Sequence, residues 1–147
     1  MADAKNHILV VDDEPAIRGV LVTYFERRKW IVRTANDGIH AIRSLRDFNP
    51  DVVLMDIRMP GRDGIATCNI IRKDITLNHD IPIILMTASL DKNQIMKSIE
   101  AGCNDFILKP FRLDVLLKKV EKLIETYHRG IPGKEKRQPF IKGIHAY

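Results

Sequence analysis

Five short apolar runs punctuate the chain, at residues 8–11, 30–32, 52–55, 83–86 and 106–108. Each is too short for a helix and does not alternate with polar residues, the pattern of strands covered on both faces of a sheet. The segments between them carry helical spacing. Ile17, Val20, Leu21 and Tyr24 form one stripe, Ala41, Ile42, Leu45 and Phe48 a second, and Ile65, Cys68 and Ile71 a third, while Ile95 and Ile99 mark a fourth. The clearest is the last, with Leu113, Leu116, Leu117, Val120, Leu123, Ile124 and Tyr127 recurring on one helical face.

Punctuation agrees with the pattern: Pro15 suits a first helical turn, Asp37 before Gly38 suits a helix start, and Gly102 suits a C-terminal cap. Five strands alternating with five helices form a βα repeat. Right-handed crossovers then require an α/β, doubly wound architecture: a five-stranded parallel sheet with helices on both faces.

Composition narrows the class further. A chain of 147 residues, 45% hydrophobic and 29% charged, is long enough to bury one core as a single domain. Cys68 and Cys103 lack any paired spacing, so no disulfide framework or zinc knuckle is expected and both read as small apolar fillers. The five histidines show no ligand spacing and read as surface groups. No signal-peptide pattern and no membrane span are expected, and the anticipated location is cytoplasmic.

The net charge of +5 invites a nucleic-acid reading, but the charge is unevenly placed. Residues 129–147 hold +4 of it, in a stretch rich in Pro and Gly, leaving the body nearly neutral. The expected organisation is therefore a folded unit over 1–128 and a basic, flexible C-terminal tail over 129–147. Nineteen residues are too few for a helix-turn-helix domain, so direct binding to nucleic acid is not expected.

Candidate chemistry gathers at the strand ends. Val11 leads into Asp12 and Asp13, Met55 into Asp56, Met86 into Thr87 and Leu108 into Lys109. In a parallel sheet all carboxyl ends share one edge, so these scattered residues converge on one crevice. Three carboxylates so close would hold a proton or require a cation. The side-chain donors are all oxygen, which favours a hard ion, and Mg²⁺ suits a shallow site completed by water and a phosphoryl oxygen. Asp12 and Asp13 ahead of Pro15 also read, taken alone, as helix-capping residues.

The motifs VVDDEP at 10–15, LMDIRMPGRDG at 54–64, LMTAS at 85–89 and FILKPF at 106–111 together resemble the receiver domain of two-component response regulators, in its single-domain, chemotaxis-regulator-like form. The resemblance covers roughly residues 6–127. It implies the flavodoxin-like strand order 2-1-3-4-5 and a cis bond between Lys109 and Pro110. It also implies a phosphoacceptor switch that catalyses only its own phosphorylation and dephosphorylation.

By the same resemblance, Asp56 accepts a phosphoryl group from a sensor histidine kinase, a phosphotransfer protein or a small acyl phosphate. Asp12, Asp13, Asp56 and the backbone carbonyl of Arg58 hold Mg²⁺, Asp12 through water, and Lys109 pairs with the phosphoryl oxygens. Thr87 then moves toward the phosphoryl group while Phe106 rotates inward. The 91–127 face is thereby altered for a downstream protein partner or a homodimer. Phe106 lacks a tyrosine's hydroxyl, so packing alone would drive that rotation. Arg58 and Ser89, two residues past the acceptor and the threonine, are expected to tune phosphoryl lifetime. A Mg²⁺ phosphohydrolase of the haloacid dehalogenase kind also uses an aspartyl nucleophile. It needs a DxD pair, whereas Asp12 and Asp13 are adjacent and followed by Glu14 and Pro15.

Overall fold

The computed structural model describes residues 5–129. Strands and helices alternate as β1 (His7–Val11), α1 (Pro15–Glu26), β2 (Ile31–Ala35), α2 (Gly38–Ser44), β3 (Val52–Asp56), α3 (Gly64–Lys73), β4 (Ile83–Thr87), α4 (Lys92–Ala101), β5 (Asp105–Leu108) and α5 (Leu113–Arg129). All strand pairs are parallel and the sheet order is β2-β1-β3-β4-β5. The expected tail lies, from residue 130 onward, outside the described residues.

The helix starts follow capping chemistry. Asp37, Asp63 and Asp91 accept hydrogen bonds from the backbone N–H groups of His40, Ala66 and Gln94, at 2.8, 2.8 and 3.1 Å. Each satisfies a donor that the first turn leaves without an intrahelical partner. α1 begins instead with Pro15, and its N-cap residue Glu14 makes no side-chain cap. α4 ends on Gly102 at φ +99°, a left-handed conformation that costs glycine little.

Alternation along the central strands divides the core in two. Leu9, Val11, Val53, Met55, Ile83 and Leu85 face Ala41, Ile42, Cys68, Ile71 and Ala101 from α2, α3 and α4. Ile8, Val10, Val52, Leu54, Ile84 and Met86 face Leu21, Phe25, Leu116, Val120, Leu123 and Ile124 from α1 and α5. Cys68 and Cys103 are buried, Cys68 donating its thiol to the Ala101 carbonyl at 3.4 Å. Burial pushes the Cys103 thiol well above its usual range.

Three local expectations need correction. The second strand begins at Ile31, with Trp30 buried just before it against Phe25 at a ring separation of 5.0 Å. Nor are the two edge strands covered on both faces: Ile31, Arg33 and Thr34 of β2 are exposed at one edge and Leu108 of β5 at the other. A run of apolar residues does not reveal whether a strand has neighbours on one side or two. α2 stops at Ser44 rather than continuing through Phe48, because the N–H groups of Leu45, Arg46 and Asp47 turn to carbonyls three residues back. Leu45 and Phe48 still reach the core from that tightened turn.

α1 closes in a Schellman-type turn in which Trp30 N–H bonds the Phe25 carbonyl at 3.1 Å and Lys29 N–H bonds the Glu26 carbonyl at 2.9 Å. The geometry puts Lys29 at φ +72°, strained for any residue with a Cβ. Replacing Lys29 with Gly is expected to stabilise the fold by about 0.5–1 kcal/mol, the relief exceeding the added flexibility of the unfolded chain. Urea denaturation of the two proteins measures it, and a lower midpoint for Lys29→Gly contradicts the assignment of strain.

Candidate functional site

The carboxyl ends of β1, β3, β4 and β5 meet at one edge of the sheet. Pairing in register sets Val11 beside Met55 and Asp56 beside Met86, and the N–H of Lys109 reaches the Thr87 carbonyl at 2.6 Å. Asp12, Asp56 and Thr87 are buried while Asp13 is exposed at the rim. One carboxylate oxygen from each of Asp12, Asp13 and Asp56 lies within 4.8 Å of the others.

Lys109 bridges the acids. Its ammonium donates to Asp12 Oδ2 at 2.9 Å and stands 3.3 Å from Asp56 Oδ2. Glu14 Oε1 completes its surroundings at 3.7 Å, on a side chain 61% exposed. Asp12 is held on every side: its N–H donates to the Ala35 carbonyl, its Oδ1 accepts the Glu14 N–H at 2.9 Å, and its own carbonyl accepts Arg18 Nη1 at 2.6 Å. It thus shapes the turn entering α1 as well as belonging to the acidic cluster, but neither Asp12 nor Asp13 caps the helix, whose N-cap position is Glu14 with no side-chain cap.

The electrostatics follow from this crowding. Burial first, and then the charge of Asp12, push the Asp56 carboxyl up from 3.8 to about 6, against the opposing pull of Lys109 and the Arg58 N–H. Lys109 titrates above its ordinary value. Burial alone would lower it, but the hydrogen bond to Asp12 and the charges of Asp56 and Asp12 outweigh that effect.

The neighbouring loops are shaped to this site. Gly64 N–H bonds the Ile57 carbonyl at 2.8 Å, and a Cβ on Gly64 would collide with the Asp56 carbonyl oxygen, so only glycine lets α3 start this close to β3. The Thr87 hydroxyl donates to the Ser89 carbonyl at 2.8 Å and accepts the Ser89 N–H at 3.1 Å, so it is engaged with the β4–α4 loop. Phe106 is half-buried and packs on the core beneath α2, α3 and α4. The side chains of Arg58 and Ser89 are exposed. The bond between Lys109 and Pro110 is cis.

Glu14 and Arg18 are parts of the site that strand-end reasoning passed over. Their signal in the sequence is spacing: Glu14 directly follows the acidic pair and Arg18 lies one helical turn beyond Glu14.

With this geometry in hand, similarity to known proteins decides the family. The family model of the response regulator receiver domain matches residues 8–121. The chain belongs to that family. Among curated relatives it is 36% identical over 138 residues to the probable transcriptional regulator ycf27 of Guillardia theta, covering 89% of this chain and 53% of that protein.

Among solved structures, the receiver domain of a signal transduction histidine kinase from Syntrophus aciditrophicus superposes with a TM-score of 0.77 at 31% identity, covering 90% of this chain and 97% of that one. The receiver domain of sensor histidine kinase PA1611 from Pseudomonas aeruginosa superposes with a TM-score of 0.75 at 31% identity, covering 83% and 99%; that structure has magnesium coordinated in its active-site cleft. The chain spans about half the length of the first curated relatives it matches. As a response regulator receiver domain it acts in phosphorelay signalling, as a regulatory switch rather than a general catalyst. No helix among the described residues is long and apolar enough to cross a membrane.

The raised Asp56 carboxyl has a consequence for stability. Its folded value of about 6 exceeds the unfolded 3.8, so folding favours the protonated form. The associated stabilisation is complete below pH 4 and is lost as pH rises through 6. Asp56→Asn is therefore expected to stabilise the metal-free protein at pH 7.5 by about 1–3 kcal/mol, the advantage shrinking to nothing near pH 4. Urea denaturation across that range measures it, and a gain independent of pH would assign the effect to something other than the buried charge.

Proposed function

We propose that Asp56 is the phosphoacceptor and that Asp12, Asp13 and the Arg58 carbonyl join it in holding Mg²⁺. The observation that carries this reading is that one oxygen from each of Asp12, Asp13 and Asp56 lies within 4.8 Å of the others while the Lys109 ammonium stands 2.9 Å from Asp12 and 3.3 Å from Asp56. The donor set fits the ion: every side-chain donor is a hard oxygen, and Asp56, raised first by burial and then by the charge of Asp12, is an acid that an added cation would help to ionise. When bound, the ion supplies positive charge to the oxygens of an entering phosphoryl group.

The residues of the chain do the rest. Above pH 6 Asp56 is ionised, and its carboxylate oxygen attacks phosphorus in line. The new O–P bond forms as the bond to the donor breaks, and the donor histidine or acetate departs with the bonding electrons. Lys109, held between Asp12 and Asp56, meets the negative charge on the phosphoryl oxygens. A phosphoryl group leaves Asp56 with about one additional negative charge at neutral pH.

That charge offers the Thr87 hydroxyl a stronger acceptor than the neutral Ser89 carbonyl it now bonds. Release of Ser89 frees the β4–α4 loop, and the half-buried Phe106 repacks into the space that Thr87 leaves. The effect reaches the 91–127 face, where Met96, Leu108 and Val115 stand exposed for a downstream protein or a second copy. The phosphodonor is a sensor histidine kinase or phosphotransfer protein, residues 1–128 form the working unit, and the setting is cytoplasmic.

Acetyl phosphate with Mg²⁺ is expected to add the mass of one phosphoryl group to the native chain and none to Asp56→Asn, read by intact mass spectrometry. Labelling of Asp56→Asn to the same extent, or no labelling of the native chain with either acetyl phosphate or a phosphohistidine donor, overturns the assignment. Arg58 is exposed and lines an open surface pocket beside Asp13, and on this reading its side chain limits water access to the phosphoryl group. Arg58→Ala is accordingly expected to change the half-life of the phosphorylated chain several-fold without altering its thermal midpoint, as followed by loss of the added mass with time.

A further inference from the structure

α1 is joined to its strand differently from α2, α3 and α4. Those helices are entered through an aspartate whose carboxylate accepts an N–H of the first turn. α1 has no side-chain cap, and its first residue, Pro15, has no N–H to offer. The entry is fixed in the opposite direction, by Arg18 reaching back from the helix to the Asp12 carbonyl at 2.6 Å.

Local electrostatics argue against a cation there. A positive side chain near a helix N-terminus opposes the dipole by roughly 0.3–1 kcal/mol. Among the described residues Arg18 forms no ion pair that would compensate, and its one side-chain hydrogen bond goes to the Asp12 carbonyl. A side chain placed against local preference points to work done elsewhere in the structure.

The peptide that Arg18 grips is the one joining Asp12 to Asp13. Asp12 is otherwise fixed through its N–H, Oδ1 and Oδ2, by Ala35, Glu14 and Lys109. Asp13 has no such support: among the described residues its carboxylate accepts no hydrogen bond and forms no ion pair, yet one of its oxygens lies within 4.8 Å of those of Asp12 and Asp56. The direction of the Asp13 side chain is therefore inherited from its backbone, and the plane of that backbone is set by the Asp12 carbonyl.

We propose that Arg18 is a positioning residue for the acidic cluster: by holding the Asp12 carbonyl it fixes the Asp12–Asp13 peptide and so the approach from which Asp13 offers its carboxylate to a divalent cation. The inference rests on the reading of Asp12, Asp13 and Asp56 as a cation site. Partners one shell outside a metal's ligands orient those ligands in this way, and their loss costs about 10–100-fold in affinity. Arg18 also brings a positive charge, which by itself would repel the ion, so charge and positioning have opposite signs when the side chain is neutralised.

Calorimetric titration of the full chain with MgCl₂ separates them. Arg18→Met keeps the length and loses the donor, and its dissociation constant for Mg²⁺ is expected to rise about 10-fold. Arg18→Lys, which still carries a donor, is expected to recover most of the affinity. The urea midpoints of both variants serve as the structural control and are expected to move together, whereas the Mg²⁺ constants separate. Should Arg18→Met not fold, Arg18→Leu, which likewise has no donor, carries the same comparison. An unchanged or tighter constant in the neutral variant, with the native chain binding normally, overturns the role of Arg18 alone. Absence of Mg²⁺ binding by the native chain overturns the cation site and the inference with it.

Discussion

Crowding of three carboxylates at one sheet edge, two of them paired with a single ammonium, is the constraint that organises this molecule. Asp12 and Asp56 are buried where the solvation of an ionised acid is weak, and Lys109 stands between them. A fold selected for stability alone would not place them so, because the cluster pushes Asp56 toward its neutral form under conditions where other aspartates are ionised. The unfavourable charge density is useful because added positive charge or a redistributed negative group changes the energy of the site substantially. A receiver domain requires that sensitivity if a small covalent change is to shift the balance between two packings.

The fold makes the crowding possible by making the rest of the sheet rigid. The central strands β1, β3 and β4 are closed off by α2, α3 and α4 on one side and by α1 and α5 on the other. Their carboxyl ends are therefore held at fixed separations even though the groups they carry repel. Gly64 contributes by letting α3 pass against the backbone of Asp56 without a Cβ in the way. The edge strand β2 is less covered and carries no member of the acidic cluster.

Around this rigid centre the loops differ in how they are secured. The β4–α4 loop is tied by the Thr87 hydroxyl to the backbone of Ser89, bonds between neutral groups that, if Asp56 is the phosphoacceptor as proposed, a phosphoryl anion there can outcompete. The β1–α1 loop is secured by charge, through Lys109 on the Asp12 carboxylate and Arg18 on its carbonyl. The first arrangement suits a segment that moves and the second a segment that stays.

The element order, the parallel sheet, the two-sided core and the gathering of Asp12, Asp13, Asp56, Thr87 and Lys109 at one edge were legible in the sequence. Apolar runs and helical stripes report burial directly, and in a βα repeat the chirality of the crossovers turns strand-end positions into neighbours. Which strands would be edges came from the family motifs through the order 2-1-3-4-5 and not from the apolar pattern, because 30–32 reads as apolar as its neighbours and such a run carries no information about lateral pairing. The early end of α2 depends on turn geometry that periodicity does not encode. Which carboxylates share Lys109, how far Asp56 departs from an ordinary acid, and that Arg18 grips the Asp12 carbonyl were decided only by tertiary structure. Such effects vary steeply with distance and burial, and neither quantity exists until the chain has folded.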